Sequence, residues 1–235
     1  MLPKGILFDL DDTIIAFGSV ADTARLQACD KYYTECSLSN ANDLFQAISK
    51  TSQWYWSDRD RHKAGRNNID NARREIVNLA LEKIGINNLP LAHKIANAFI
   101  KLREEMIQLF PRARETLEYL KKKNISLALM TNGESDKQRT KIKRFNLERF
   151  FNVILVEGEI GYGKPDKEVY TMALDALKFE PDDVWAVGDN LEWDVWGPQQ
   201  LGIYSIWNDY KEKGLPSSSE IVPDRVVNSI AELIE

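Results

Sequence analysis

The second half of this chain alternates short apolar runs with helical segments, and this alternation restricts the fold more than any other feature. Beyond Pro111 the apolar runs have the length of strands, and helical patterns precede or follow most of them. Helices that connect strands place those strands parallel, so the pattern predicts an α/β fold with a parallel sheet flanked by helices. The predicted strands are Ile125–Met130, Val153–Val156, Val184–Val187, Ile203–Trp207 and Asp224–Val227.

One further apolar run begins at Ile6, and a lone strand cannot bury itself, so we expect it to join the same sheet. Residues from about Ala16 to Gln108 carry almost no strand signal and have helical patterns throughout. The sequence therefore predicts an all-helical domain, residues 16–108, inserted into a sheet domain formed by residues 1–15 and 109–235. An insertion that leaves the sheet at its carboxyl edge is placed to act as a lid.

Two amphipathic stripes support the helical assignment. In the first, Asn68 is expected to be the N-cap and Gly85 to end the helix. The stripes consist of Ile69, Ala72, Ile76, Val77, Ala80 and Ile84, and of Leu91, Ile95, Ala98, Phe99, Leu102, Met106 and Leu109.

Composition excludes several classes of partner. Lys and Arg number 31 against 36 Asp and Glu, a net charge of −5 that does not favour nucleic-acid binding. Neither a signal-peptide pattern nor a bilayer-spanning apolar run is present, so we expect a cytoplasmic protein with no membrane partner. Cys29 and Cys36 are expected to be reduced and structural, and two histidines are too few for a zinc site.

Two carboxylates, Asp9 and Asp11, end the first strand with one residue between them. Alternate side chains of a strand share a face, so both can point to one site at the carboxyl end, where parallel sheets bind ligands. Such a pair suits divalent metal binding, nucleophilic attack and proton transfer. The alternative interpretation is that these acids only form a turn and cap a helix.

Two later strands run into polar residues. Thr131, Asn132 and Gly133 offer a hydroxyl, an amide and a flexible backbone that together suit an anion, although an ordinary turn has the same composition. Lys164 precedes Pro165, which is expected to open a helix. A lysine there opposes the helix dipole, so a bound phosphate would explain it as well as simple solvation does.

A last strand ends at Gly188 and is followed by Asp189 and Asp194. Asp189 is expected to be the third metal ligand, after Asp9 and Asp11. Asp194 is expected either to lie near Asp189 or to contact Lys164. In isolation these acids could also cap the helix that follows. Trp196 and Pro198 are expected to alter or kink that helix.

Taken together, the motifs resemble those of the haloacid dehalogenase superfamily, which consists mostly of phosphatases. In chain order they are Asp9-x-Asp11-x-Thr13, Thr131 after a strand, Lys164-Pro165, and Asp189 with Asp194. The resemblance implies a Rossmann-like core, with the helical insertion as the cap domain of this superfamily. It also implies a small phosphorylated metabolite as substrate, such as a sugar phosphate, a nucleoside monophosphate or phosphoglycolate.

The resemblance also assigns roles. Asp9 would attack phosphorus, Asp11 would protonate the leaving oxygen and deprotonate water, and Thr13 would help fix the loop. Mg²⁺ would be held by Asp9, the backbone carbonyl of Asp11 and Asp189, with Asp194 as a further ligand or in support. Thr131, the backbone at Asn132, and Lys164 would neutralise the phosphoryl group.

Other functions stay open at this point. A phosphomutase of the same superfamily and a non-catalytic phosphate-responsive binding protein are alternatives, whereas dehalogenation is not expected because dehalogenating members lack an acid at the position of Asp11. In the insertion, Trp54–Arg66 combines aromatic and basic residues. We interpret the aromatic residues as part of the domain core and the charged residues as solvent-exposed surface. From that segment, Arg66 is the candidate for a substrate contact. No oligomeric state is predicted.

Overall fold

The computed structural model describes residues 2–235, in which the strands form one parallel sheet of six and one antiparallel pair. The strands are β1 Gly5–Phe8, β2 Ile15–Ala16, β3 Gln108–Leu109, β4 Ser126–Thr131, β5 Val153–Val156, β6 Val184–Gly188, β7 Tyr204–Asn208 and β8 Arg225–Val227. The large sheet has the order β5-β4-β1-β6-β7-β8, and β2 pairs with β3. The predicted α/β fold with a parallel sheet is confirmed.

The register of the sheet brings several strand ends to one edge. Phe8 at the end of β1 is level with Leu129 of β4 and Val187 of β6. Strand β1 ends at this level, β6 ends one residue later at Gly188 and β4 two residues later at Thr131, so the three strand ends lie close together at one edge. Strand order reverses between β1 and β6, and open α/β sheets bind ligands in the crevice at such a point.

Residues Phe17–Ile107 form a compact unit, called here the helical unit, and the rest of the chain forms the sheet unit. These bounds differ by one residue from those expected from the sequence. The helices of the helical unit are α1 Ala21–Tyr32, α2 Ala41–Trp56, α3 Arg59–Arg66, α4 Ile69–Lys83 and α5 Leu89–Met106. Its core contains both cysteines as buried free thiols, which confirms the expectation for Cys29 and Cys36.

The helices of the sheet unit cover its strands. They are α6 Ala113–Lys122, α7 Ser135–Arg144, α8 Glu157–Ile160, α9 Lys167–Leu177 and α10 Gly197–Gln199. Helix α9 is amphipathic, and its buried Tyr170, Ala173 and Leu174 share an apolar core with Leu7 and Ala128 of the sheet. Among the described helices, none is both long enough and apolar enough to cross a bilayer.

Element ends differ in detail from the predictions. Only β5 has the predicted bounds, and the other predicted strands shift, lengthen or shorten by about one residue, because apolar runs mark burial better than hydrogen-bonding ends. The pair β2 and β3, two residues each, escaped detection because so short a run has no periodicity. Asn68 does precede α4 but makes no capping hydrogen bond, while Gly85 ends that helix at φ +83° as expected.

Candidate active site

Asp9 leaves the carboxyl end of β1 and is nearly buried, with 8% of its surface exposed. Its backbone N–H donates to the carbonyl of Val187 on the neighbouring strand at 2.9 Å. The buried Thr13 hydroxyl donates to Asp9 Oδ2 at 3.0 Å. The loop between them therefore turns back on the strand and fixes one oxygen of the Asp9 carboxylate.

Lys164 supplies the other partner of Asp9. Its side chain is 1% exposed, and its Nζ lies 2.6 Å from Asp9 Oδ1 and 2.6 Å from Asp194 Oδ1. Burial alone would lower the pKa of the Lys164 ammonium, but Asp194 and Asp9 outweigh burial and raise that pKa above its ordinary value. Lys164 is therefore charged and bridges two carboxylates.

The backbone of Lys164 is held as firmly as its side chain. Asn132, just beyond β4, accepts the Lys164 N–H on Oδ1 at 2.8 Å and donates from Nδ2 to the Lys164 carbonyl at 2.8 Å. The neighbouring Gly133 N–H donates to Glu157 Oε2 at 2.9 Å. The amide predicted to bind an anion instead positions the lysine, which leaves the backbone of Asn132 for that role.

Asp194 packs directly against the backbone of Gly188. A Cβ atom built on Gly188 would lie 2.2 Å from Asp194 Cγ, so only glycine fits there. While Oδ1 of Asp194 contacts Lys164, Oδ2 accepts the Asn190 N–H at 3.0 Å. The Asn190 side chain in turn caps the next helical turn by accepting the N–H groups of Glu192 and Trp193.

Asp9, Asp189 and Asp194 each bring a carboxylate oxygen within 4.8 Å of the others. Burial, together with the neighbouring Asp194 charge and despite Lys164, raises the pKa of Asp9 to about 7. Burial and the charges of Asp9 and Asp194 raise the pKa of Asp189 to about 9. Three crowded carboxylates facing one ammonium form a donor set that a hard divalent cation fits, because the cation would relieve this repulsion.

Further contacts hold the backbone around this group. The Trp207 indole Nε1 donates to the carbonyl of Asp189 at 2.7 Å, and Asn208 Nδ2 donates to the carbonyl of Asp12 at 3.1 Å. Both side chains come from the end of β7. Strand β7 thus fixes the loops that carry Asp189 and Asp9.

Comparison with known proteins places this geometry in a family. The model of the haloacid dehalogenase-like hydrolases matches residues 3–202. The chain belongs to this family. The phosphoserine phosphatase of Thermus thermophilus is 30% identical over 98% of this chain and 97% of its own length. The glyceraldehyde 3-phosphate phosphatase of Methanopyrus kandleri is 26% identical over 99% and 96%.

A solved structure shares the fold of this haloacid dehalogenase-like hydrolase. The magnesium-bound crystal structure of YfnB from Bacillus subtilis superposes with a TM-score of 0.75 at 24% identity. The match covers 99% of this chain and 97% of that one. The comparison therefore extends over both units of the chain.

Asp11 and Thr131 lie beside residues that sequence reasoning missed. The Asp11 carboxylate is outside the three-acid group and instead forms a salt bridge with Lys141 Nζ, 2.7 Å from Oδ1. The Thr131 hydroxyl contacts Gln138 Nε2. Gln138 and Lys141 are buried polar residues on α7, and the sequence of this almost wholly polar helix carries no signal that would single them out.

The predicted role of Pro165 is wrong. Helix α9 begins at Lys167 with Asp166 as its N-cap residue, so Pro165 lies in the preceding turn, and the Lys164–Pro165 peptide is cis. The Asp166 N–H closes that turn on the carbonyl of Gly163 at 2.8 Å. Lys164 is therefore not at a helix start, and its burial contradicts simple solvation, while Asp9, Asp194 and Asn132 fix its position.

The helix that follows β6 is altered, as expected. Leu191–Trp196 forms a π-helical turn, and α10 follows with Pro198 in its first turn, where a missing N–H is tolerated. A Cβ on Gly197 would lie 2.3 Å from the hydroxyl of Tyr170, so α9 also packs closely against this turn.

In the helical unit, Arg66 is the last residue of α3. Nearby, Tyr55 is buried, His62 packs edge-on against Trp56 with ring centroids 5.3 Å apart, and the Arg61 guanidinium lies 4.1 Å from the Trp54 ring centroid. These contacts support the interpretation of this segment as domain core and surface. The substrate contact of Arg66 stays a prediction.

Gly188→Ala should displace Asp194, because the added methyl group has no room beside that carboxylate. We expect a loss of about 1–3 kcal/mol in the free energy of unfolding, measured by denaturant titration. As a matched control, Gly214→Ala adds a methyl group in open space at φ +71° and should lose only about 1 kcal/mol. Equal stability of Gly188→Ala and wild type would contradict the close packing.

Without divalent cations, the stability of the protein should fall as pH rises from about 4 to about 9. Because folding raises the pKa of Asp189 from 3.8 to about 9, the folded state binds more protons than the unfolded state across that window. Asp189→Asn removes this group and should flatten the pH dependence of Tm.

Thermal unfolding with EDTA or with Mg²⁺ checks this expectation. Mg²⁺ should raise the Tm of the wild type at pH 8 and leave Asp189→Asn almost unchanged. Exposed Asp182 provides the control, because Asp182→Asn should behave as wild type. The same Mg²⁺ response in Asp189→Asn and wild type would contradict a cation site at Asp189.

Proposed function

We propose that this protein hydrolyses small phosphate monoesters with Mg²⁺, through an aspartyl-phosphate on Asp9. The observation that carries the proposal is the environment of Asp9, whose two oxygens are fixed by Lys164 and Thr13 at the edge of the sheet. A carboxylate so oriented, beside a donor set for a divalent cation, suits attack on phosphorus. The enzyme class is that of the phosphatases among its relatives, the phosphoric monoester hydrolases.

The proposed reaction has two steps, phosphoryl transfer to Asp9 and hydrolysis of the aspartyl-phosphate. Asp9 Oδ forms a bond to phosphorus while the ester P–O bond breaks, and Asp11 gives its proton to the leaving oxygen. A water oxygen then forms a bond to phosphorus while the Asp9–phosphorus bond breaks, and Asp11 takes the proton from that water. Asp11 thus returns to its starting state after each turnover.

Mg²⁺, when bound, supplies the charge that lets an anionic nucleophile approach an anionic phosphoryl group. The carboxylates of Asp9 and Asp189 and the backbone carbonyl of Asp11 would hold it. Asp194 instead positions Lys164, since one of its oxygens contacts that ammonium and the other accepts the Asn190 N–H.

Three residues would stabilise the negative charge of the phosphoryl group. Lys164 brings a buried positive charge, Thr131 a hydroxyl at the end of β4, and Asn132 its backbone N–H. These donors are preorganised, because the loop after β4 and the turn at Lys164 are tied together by the Asn132 side chain.

We propose short aliphatic phosphate esters as the substrate class, since two relatives are a phosphoserine phosphatase and a glyceraldehyde 3-phosphate phosphatase. The proton-carrying role of Asp11 agrees with an ester, because an alkoxide leaving group needs a proton. The helical unit would select among such esters as the cap of the family, with Arg66 as the residue we assign to the substrate.

A phosphate-release screen tests the proposal. Phosphoserine, glyceraldehyde 3-phosphate, phosphoglycolate, sugar phosphates and nucleoside monophosphates are offered with and without Mg²⁺. Asp9→Asn keeps the side-chain volume but removes the nucleophile, so release should fall at least about a thousandfold in a folded protein. The control Asp182→Asn should keep full activity.

Two outcomes would contradict the proposal. Release by Asp9→Asn close to wild type would exclude the covalent mechanism. Turnover of sugar phosphates only in the presence of a sugar bisphosphate, with no free phosphate formed, would identify a phosphomutase instead.

A further inference from the structure

Helix α7 presents two polar side chains where a helix packed on a sheet normally presents apolar ones. Gln138 and Lys141 are 3% and 7% exposed, and they lie one turn apart on the face that also buries Ile142. Burying a lysine ammonium is unfavourable unless it is paired. We therefore expect both buried side chains to have polar partners.

Both residues contact Asp11. Lys141 Nζ lies within hydrogen-bond distance of both Asp11 oxygens, 2.7 Å from Oδ1, and Gln138 Nε2 lies 3.1 Å from Oδ2. The Asp11 side chain itself is 24% exposed and sits in a loop whose next residue, Asp12, has φ +63°. These contacts restrict the rotamer of that carboxylate.

Gln138 extends the contact to the neighbouring loop. Its Nε2 also lies 3.0 Å from the carbonyl oxygen of Asn132 and contacts the Thr131 hydroxyl. An amide nitrogen carries two hydrogens, so these acceptors and Asp11 share them. One side chain of α7 thus joins the loop after β1 to the loop after β4.

We infer that Gln138 and Lys141 are positioning residues that hold the Asp11 carboxylate where it exchanges its proton with the leaving oxygen and with water. The inference rests on the proposed function, because it requires Asp11 as the proton carrier. Proton transfer needs donor and acceptor within about 3.2 Å, and misplacement by about 1 Å can lower a rate about a hundredfold. A paired, buried lysine supplies that restraint.

This role predicts a dependence on the leaving group. An alkoxide leaving group needs the proton of Asp11, whereas a nitrophenolate leaves without one. Loss of positioning should therefore slow alkyl esters and spare p-nitrophenyl phosphate. A salt bridge that served only the fold would slow both esters equally.

The experiment compares kcat/KM of Lys141→Met, Lys141→Arg and wild type, since kcat/KM covers only the steps through transfer to Asp9. The probes are p-nitrophenyl phosphate and whichever of phosphoserine, glyceraldehyde 3-phosphate and uridine monophosphate the wild type hydrolyses fastest. Lys143→Met, an exposed lysine on the same helix, is the matched control. Thermal unfolding confirms that each variant is folded.

For Lys141→Met, we expect kcat/KM on the alkyl ester to fall at least about tenfold further than on p-nitrophenyl phosphate. Lys141→Arg keeps a donor for both oxygens and should restore the ratio of the two esters to within about threefold of wild type. Gln138→Leu should shift the ratio in the same direction as Lys141→Met. Lys143→Met should leave both values unchanged.

Equal losses on both esters, or no loss, in Lys141→Met would overturn the inference while leaving the proposed function intact. A wild type that releases phosphate from none of these esters would instead overturn the proposed function, and the positioning role with it. The wild-type rates and the variant ratio therefore separate the two failures.

Discussion

The structure of the site depends on one buried ammonium group. Lys164 bridges Asp9 and Asp194 with two contacts of 2.6 Å, and removing it would leave buried carboxylates side by side without a counter-charge. The surrounding chain is built to keep the ammonium there. Asn132 binds the Lys164 backbone on both sides, and Gly188 makes room for Asp194.

This single charge does not neutralise the group. Asp189 joins Asp9 and Asp194 within 4.8 Å, and burial, together with the repulsion between these carboxylates, raises the pKa values of Asp9 and Asp189. A divalent cation and a phosphoryl group have complementary needs, because the cation requires oxygen ligands and the phosphoryl group requires positive charge. The repulsion between the carboxylates would therefore favour binding of the cation that the proposed chemistry requires.

Sequence reasoning was most successful where a residue type and a strand end coincide. Asp9, Asp189 and Thr131 could be assigned to one edge, because parallel strands all deliver their carboxyl ends to the same side, whereas α8 separates Lys164 from the end of β5. Contacts made from a helix were not predictable in this way. Gln138 and Lys141 lie on α7, whose residues have no apolar periodicity, and only the packed structure reveals which polar face is buried. The turn at Pro165 was missed for a related reason, since proline opens helices in many sequences and only the structure shows that α9 begins later, at Lys167.

The central claim is that Asp9 carries the phosphoryl group during turnover, and trapping that intermediate tests it most directly. Borohydride reduces an acyl phosphate to an alcohol, so protein quenched during turnover and reduced should contain homoserine at position 9. Peptide mass spectrometry identifies the modified residue. The account predicts homoserine at position 9, formed only when substrate is present and absent in Asp9→Asn. Modification at another carboxylate, or an unmodified protein during rapid phosphate release, would contradict it.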